Sequence, residues 1–183
     1  MDIGCIILAG GRSTRMGADK AQMLVDDRRL VDHALDSLPH EWDTVIVSPL
    51  DLGRPTVTED PPYGGPVAGI SAGLQVLDNP LVAVMAVDAP HSGRMLRRLL
   101  AALGDDDVAV ATTDGYVQPL CAVWKRNCLE SALEQVGDRD VAAKRLIAAA
   151  RNVTYIPGDG SEVDYDTPDA LSALGAVSFP HQG

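Results

Sequence analysis

Residues Leu8-Ala9-Gly10-Gly11-Arg12-Ser13-Thr14-Arg15-Met16-Gly17-Ala18-Asp19-Lys20 set three glycines and three cations directly behind an apolar run, Ile3 to Leu8. The apolar run reads as a buried first strand. Glycines let the main chain approach a ligand closely and take conformations that a Cβ would forbid. Successive N–H groups in such a turn form a nest for phosphate oxygens. Arg12, Arg15 and Lys20 outnumber Asp19 here, in a chain whose net charge is −11. The combination suits a triphosphate. Two other phosphate loops are excluded by spacing. A Walker A loop needs Lys-Ser or Lys-Thr straight after its last glycine, and Gly17 is followed by Ala18. A dinucleotide fingerprint needs G-x-G-x-x-G, whereas Gly10 and Gly11 are adjacent.

Three further groups carry chemistry. Val84-Met85-Ala86-Val87-Asp88-Ala89-Pro90 ends an apolar run with a carboxylate. An acid at that point is costly unless it has a partner. Ligands of open α/β sheets bind at this end of the strands, so Asp88 is placed to hold Mg²⁺ beside phosphate oxygens. Aspartate also suits the N-cap of a following helix. Glu59-Asp60 precede Gly64-Gly65-Pro66-Val67-Ala68-Gly69-Ile70, a glycine-flanked helix start that brings backbone near a flat ligand. Asp164-Tyr165-Asp166-Thr167-Pro168-Asp169 offers two more carboxylates, while Thr167-Pro168 is itself a helix-start signal.

The elements that must position these groups alternate in type, the pattern of a mostly parallel sheet covered by helices. After the first strand comes a helical stripe over Leu30 to Leu38, stopped by Pro39, then strands at Thr44 to Val47 and Thr56 to Thr58. Val67 to Leu77 reads as a helix, Leu81 to Val87 as a central strand, and Gly93 to Leu103 as an amphipathic helix. Asp114-Gly115 signals a hairpin between Val108–Thr112 and Tyr116–Trp124. Helices at Glu130–Val136 and Val141–Ala150, a strand at Val153–Ile156 and a helix at Pro168–Leu174 follow. One α/β domain over residues 1–175 is expected: a Rossmann-like three-layer fold with an antiparallel hairpin region. Residues 176–183 are expected as a flexible tail.

Composition narrows the classes. The chain has 183 residues, 46% apolar and 4% aromatic, enough for a mainly aliphatic core. Its acidic balance argues against general nucleic-acid binding. Cys5, Cys121 and Cys128 are odd in number and lack C-x-x-C spacing, which reads as reduced thiols. With no basic-then-apolar leader and no apolar stretch of membrane-spanning length, a cytoplasmic protein is expected. His91 has no second histidine at ligand spacing, and a solvent-facing ring is expected.

The run from Leu8 to Lys20 resembles the signature L-A-G-G-x-S-x-R-M-G-x-D-K of the MobA-type nucleotidyltransferases, the molybdenum cofactor guanylyltransferases. Gly65-Pro66-Val67-Ala68-Gly69 is similar to that family's G-P-L-A-G element, Val87-Asp88-Ala89-Pro90 to its V-D-x-P, and Asp164 to Pro168 to its D-x-D-T-P. The resemblance implies transfer of GMP from GTP to the phosphate of molybdopterin, with Mg²⁺ as cofactor and release of pyrophosphate. It gives the base and ribose to Leu8, Ala9, Gly10 and Gly11, and charge neutralisation on the triphosphate to Arg15 and Lys20. Arg12 falls at a variable position and is expected to face solvent. The metal goes to Asp88, with Asp166 or Asp164 approaching from across the cleft. The nucleoside side goes to Ser48, Asp60, Gly65 and Gly69. A carboxylate there accepts from the N1–H and N2–H₂ edge of guanine, which adenine lacks. Ser48 departs from the asparagine common in the family, leaving a shorter side chain. Gln118 to Trp124 resembles the segment lining the acceptor side. Implied partners are GTP, the molybdopterin cofactor, and cofactor-synthesis proteins or molybdoenzyme apoproteins. The alternatives are a cytidylyltransferase for the same cofactor, a sugar-phosphate nucleotidyltransferase, and a GTP-binding regulator of cofactor delivery without catalysis.

Overall fold

The structure, a computed structural model, describes residues 2–10 and 20–179. The elements run β1 (Ile3–Leu8), a 3₁₀ turn (Lys20–Gln22), β2 (Leu24–Val25), β3 (Arg28–Arg29), α1 (Leu30–Ser37), β4 (Asp43–Val47), β5 (Thr56–Val57), α2 (Pro66–Leu74) and β6 (Leu81–Ala86). They continue with α3 (Gly93–Ala102), β7 (Val108–Thr113), β8 (Tyr116–Lys125), α4 (Arg126–Val136), α5 (Lys144–Ala149), β9 (Val153–Pro157), α6 (Pro168–Leu171) and β10 (Val177–Ser178).

Seven strands form the main sheet in the order β5-β4-β1-β6-β8-β7-β9. β8 runs antiparallel to both its neighbours, and the remaining strands share one direction. All six residues of β1 are buried, because it lies between two other strands and under helices on both faces. The period-two alternation of strand side chains divides the core in two. Ile3, Cys5 and Ile7 of β1 pack with Met85 of β6 against α1 and α3. Ile6 and Leu8 pack with Val84 against Ile70 and Leu74 of α2, and Trp124 meets α4 and α5 on the same side. Each fully buried aliphatic side chain of this kind contributes about 1.5–3 kcal/mol.

Close packing of the layers is set by two glycines. A Cβ at Gly93 would lie 2.2 Å from the carbonyl oxygen of Ser37, so only glycine lets α3 start against the end of α1. At Gly69 a Cβ would lie 2.8 Å from Leu8 Cδ2, and α2 therefore sits directly on β1.

The expected α/β layers and the hairpin are present, and Asp114-Gly115 turns with both residues at positive φ. The ladder between β7 and β8 is interrupted next to Pro119, which has no N–H to donate. Two features depart from the sequence reading. A second sheet, β10-β2-β3, occupies the stretch between the loop and α1. The segment after Gly175, expected as a tail, supplies its strand β10: Val177 and Ser178 pair antiparallel with Val25 and Leu24. Asp26 holds it there, its N–H donating to Ala176 O and its carboxylate accepting from Ala176 N, each at 2.8 Å.

Candidate active site

The strands β1, β4, β5 and β6 end on one edge of the sheet, and the ladder carries on past their ends. Ala9 N donates to Val47 O at 2.8 Å, and Val87 N donates to Leu8 O at 2.9 Å. Asp88 therefore stands one residue past the last sheet hydrogen bond of its strand, beside the start of the glycine loop. It caps no helix: α3 begins five residues later, at Gly93.

The second wall of the site comes from the chain beyond β9. Tyr165 N donates to Asp88 O at 2.8 Å, which fixes this stretch along the end of β6. Tyr165 packs against the core cluster to which α1 and α3 also contribute. Residues either side of an inward-facing residue in extended chain point the other way. Asp164 and Asp166 accordingly face Asp88, with one carboxylate oxygen from each of the three within 4.8 Å of the others. The capping role belongs to Thr167, whose Oγ1 accepts from Ala170 N at 3.1 Å, so Asp166 is left for the site.

Lys20, opening the 3₁₀ turn, stands between the acids. Its Nζ lies 2.9 Å from Asp166 Oδ1 and 3.3 Å from Asp88 Oδ2. Burial lowers the affinity of the ammonium for its proton, but the hydrogen bonds and charges of Asp166 and Asp88 outweigh it and raise its pKa. Asp166 is held below the usual carboxylate range, first by the Lys20 hydrogen bond. Burial pushes Asp88 up against the pull of Lys20, with Asp166 and Asp164 adding to the rise. Asp164 is raised by burial and by the charge of Asp166. Three carboxylates thus share one ammonium among the described residues, leaving an excess of hard oxygen donors. Such a set fits Mg²⁺, which takes few carboxylates and keeps sites for phosphate oxygens and water.

The remaining expected residues fall as follows. Gly10 is exposed at the mouth of the site against Pro49. Ser48 is buried, and its Oγ accepts from Leu50 N at 3.2 Å to close a turn beyond β4. Asp60 is exposed and joined to Pro61 by a cis peptide bond, while its neighbour Glu59 accepts from Gly64 N at 3.3 Å. Gly65 precedes α2 with φ at 93°, a conformation suited to glycine. Gly69 is buried under Leu8. His91 is exposed. Gly11, Arg12 and Arg15 lie outside the described residues. Sequence reasoning missed Glu162, a buried acid behind the Asp164–Asp166 pair. Its position in a short polar loop after β9 carries no pattern that would single it out.

Comparison with known proteins bears on family and fold. Residues 5–153 match the family described as the MobA-like NTP transferase domain. The chain is 32% identical to the molybdenum cofactor guanylyltransferase of Aliivibrio fischeri, covering 94% of this chain and 95% of that protein. It is 36% identical to the enzyme of the same name from Burkholderia lata, over 77% and 80% of the two chains. Among solved structures, molybdopterin-guanine dinucleotide biosynthesis protein A from Archaeoglobus fulgidus superposes with a TM-score of 0.72 at 22% identity, over 93% of this chain and 95% of that one. The 2-C-methyl-D-erythritol 4-phosphate cytidylyltransferase of Thermus thermophilus superposes at 0.70 and 21% identity, over 94% and 97%, which extends the likeness of fold alone.

Proposed function

The chain belongs to the MobA-like NTP transferase family, and from that we propose that it joins GMP, taken from GTP, to the terminal phosphate of the molybdopterin cofactor. The observation that carries the reading is Lys20 held between Asp88 and Asp166 at the carboxyl edge of the parallel strands. It ends a run of sequence whose glycines and cations suit phosphates. The relatives named as guanylyltransferases support the same chemistry.

An oxygen of the acceptor phosphate attacks the α-phosphorus of GTP in line. The bond between that phosphorus and the bridging oxygen to the β-phosphate breaks, and pyrophosphate departs with the electron pair. The acceptor phosphate is ionised near neutral pH, so the site needs no strong general base. Catalysis is then positioning plus stabilisation of charge. Lys20 and Arg15 offset charge on the triphosphate oxygens, where fixed cations act more strongly than in water. Asp88, Asp164 and Asp166 would hold Mg²⁺, which when bound neutralises phosphate charge. Main-chain atoms of Leu8, Ala9 and Gly10 would meet the nucleoside, with Ser48, Asp60 and Gly65 around it, and the family resemblance gives Gly11 the same part. Gly69 serves that side by letting α2 rest on Leu8.

The test is to supply purified protein with Mg²⁺, molybdopterin-type cofactor and each of GTP, CTP, ATP and UTP, and to measure pyrophosphate together with the dinucleotide product. Turnover selective for GTP supports the reading. Preference for CTP moves the chain to the cytidylyl alternative. GTP binding without pyrophosphate release makes it a non-catalytic regulator.

A further inference from the structure

Glu162 is the one charged side chain that is fully buried among the described residues, with 6% of its surface exposed. A carboxylate out of water is costly unless its oxygens find donors. Here one oxygen accepts from Thr113 Oγ1 at 2.8 Å and the other from Gly160 N at 2.9 Å. Thr113 ends β7, beside the end of β9, and Gly158 N donates to Thr112 O on the same strand. The loop leaving β9 is wrapped around the carboxylate. A Cβ at Gly158 would come within 1.9 Å of Glu162 Oε1, so a glycine leaves the carboxylate its place. The same loop is clipped to α3, where Arg94 and Arg98 meet Asp159 at 3.2 and 3.5 Å. That helix follows directly on the segment carrying Asp88.

The two halves of the acidic cluster therefore share one foundation. Asp88 precedes α3, and Asp164 and Asp166 follow a loop fastened to α3 and to the end of β7. We propose that Glu162 is a positioning residue for this cluster: by pinning the 158–162 loop to Thr113 it sets the distance of Asp164 and Asp166 from Asp88. The proposal rests on the reading of those three carboxylates as the divalent-cation site. Glu162 is not one of the three carboxylates whose oxygens converge. Its role is to hold the pair where one ion can meet all three oxygens.

The experiment measures binding of Mn²⁺ alone, by electron paramagnetic resonance, alongside thermal stability. It uses the wild type, Glu162→Ala, Glu162→Gln, Thr113→Val and Asp88→Asn. Glu162 acts on the ligands through the loop and not by touching them, so Glu162→Ala is expected to weaken Mn²⁺ binding by about 10-fold, the low end of what loss of a direct outer partner of a metal ligand costs. Glu162→Gln is expected to restore it to within about threefold, because an amide can accept from Gly160 N and donate to Thr113 Oγ1. Thr113→Val falls between them, and it decides the matter if Glu162→Ala does not fold. Variants that lose thermal stability yet bind Mn²⁺ within about twofold of the wild type overturn the positioning role, given the range expected for an outer partner. If Asp88→Asn loses binding in that case, the metal reading stands without the proposal. If Asp88→Asn also binds like the wild type, the ion is not shared by all three carboxylates, and if the wild type binds no Mn²⁺ there is no such site; either result removes the premise of the proposal.

Discussion

Lys20 Nζ lies 2.9 Å from Asp166 Oδ1, although 146 positions of chain separate the two residues. The contact joins the two walls of the cleft. Lys20→Ala removes the one ammonium shared by Asp88 and Asp166 and is expected to lower kcat by about 10²–10³, as loss of a preorganised charge-stabilising donor does. Circular dichroism should show the fold retained, since the lysine lies at the rim of the core. A change of less than about threefold in kcat would take Lys20 out of the mechanism.

Asp88→Asn keeps the shape of the side chain and deletes its charge. The Mg²⁺ concentration for half-maximal rate should rise by about 10-fold or more, with the nucleotide KM rising less. A metal titration that superposes on the wild type would assign the metal to Asp164 and Asp166 alone.

Asp32 gives a pH dependence with a definite sign. Its carboxylate accepts from Arg29 at 2.8 and 3.2 Å and from Arg54 at 3.0 Å. The Arg29 hydrogen bond is the largest influence, and the net effect holds its pKa below the ordinary value. The folded chain then binds fewer protons than the unfolded one around pH 3–4, so this contribution is present above about pH 4 and fades as the pH falls through the lower folded value. Asp32→Asn should cost about 1–2 kcal/mol in urea unfolding at pH 7. The difference from wild type should shrink as the pH falls from about 4 through the lowered folded value. A constant difference across that range would mean that packing, not charge, is what the substitution removes.

Arg126 reaches back from the start of α4 to the end of α2. Its guanidinium donates to Leu74 O at 2.9 Å, a carbonyl of the last helical turn, and to Leu77 O in the loop that follows. Arg126→Ala should lower unfolding free energy by about 1.5–3 kcal/mol, the range for hydrogen bonds to a charged group. Arg126→Lys should recover little of it, because a single ammonium cannot serve both carbonyls in the geometry of a fork. Full recovery with lysine would reduce the interaction to simple charge.

How far the sequence reading reached follows from the length of each signal. β1 and β6 are continuous apolar runs, and α3 carries a stripe of Met95, Leu96 and Leu99, so tertiary packing and local pattern agree there. The strands of the small sheet are two residues long, too short for any periodicity. Their turn uses Asp26 and Asp27 at positive φ, where Asn-Gly would have announced a hairpin. α4 begins at Arg126 and not at Glu130, because its first turn is fastened by a distant helix end that no local pattern encodes. At the site, Asp88 stood out because a carboxylate ends an apolar strand. Asp164 and Asp166 could not be separated by sequence, and in the fold both face Asp88. Glu162 was invisible, since burial of one acid in a polar loop is a tertiary fact.

The long reach from Lys20 to Asp166 also has a consequence in time. The cationic end of the cleft leaves the ribosome 146 residues before its acidic counterpart, roughly 7–30 s earlier at ordinary rates of synthesis. Through that interval the nascent chain holds half a site, and strand β2 waits for the β10 that completes its sheet. A cleft whose walls lie so far apart in sequence is closed only once the second wall has been made, so its geometry is a late event of synthesis and not a local one.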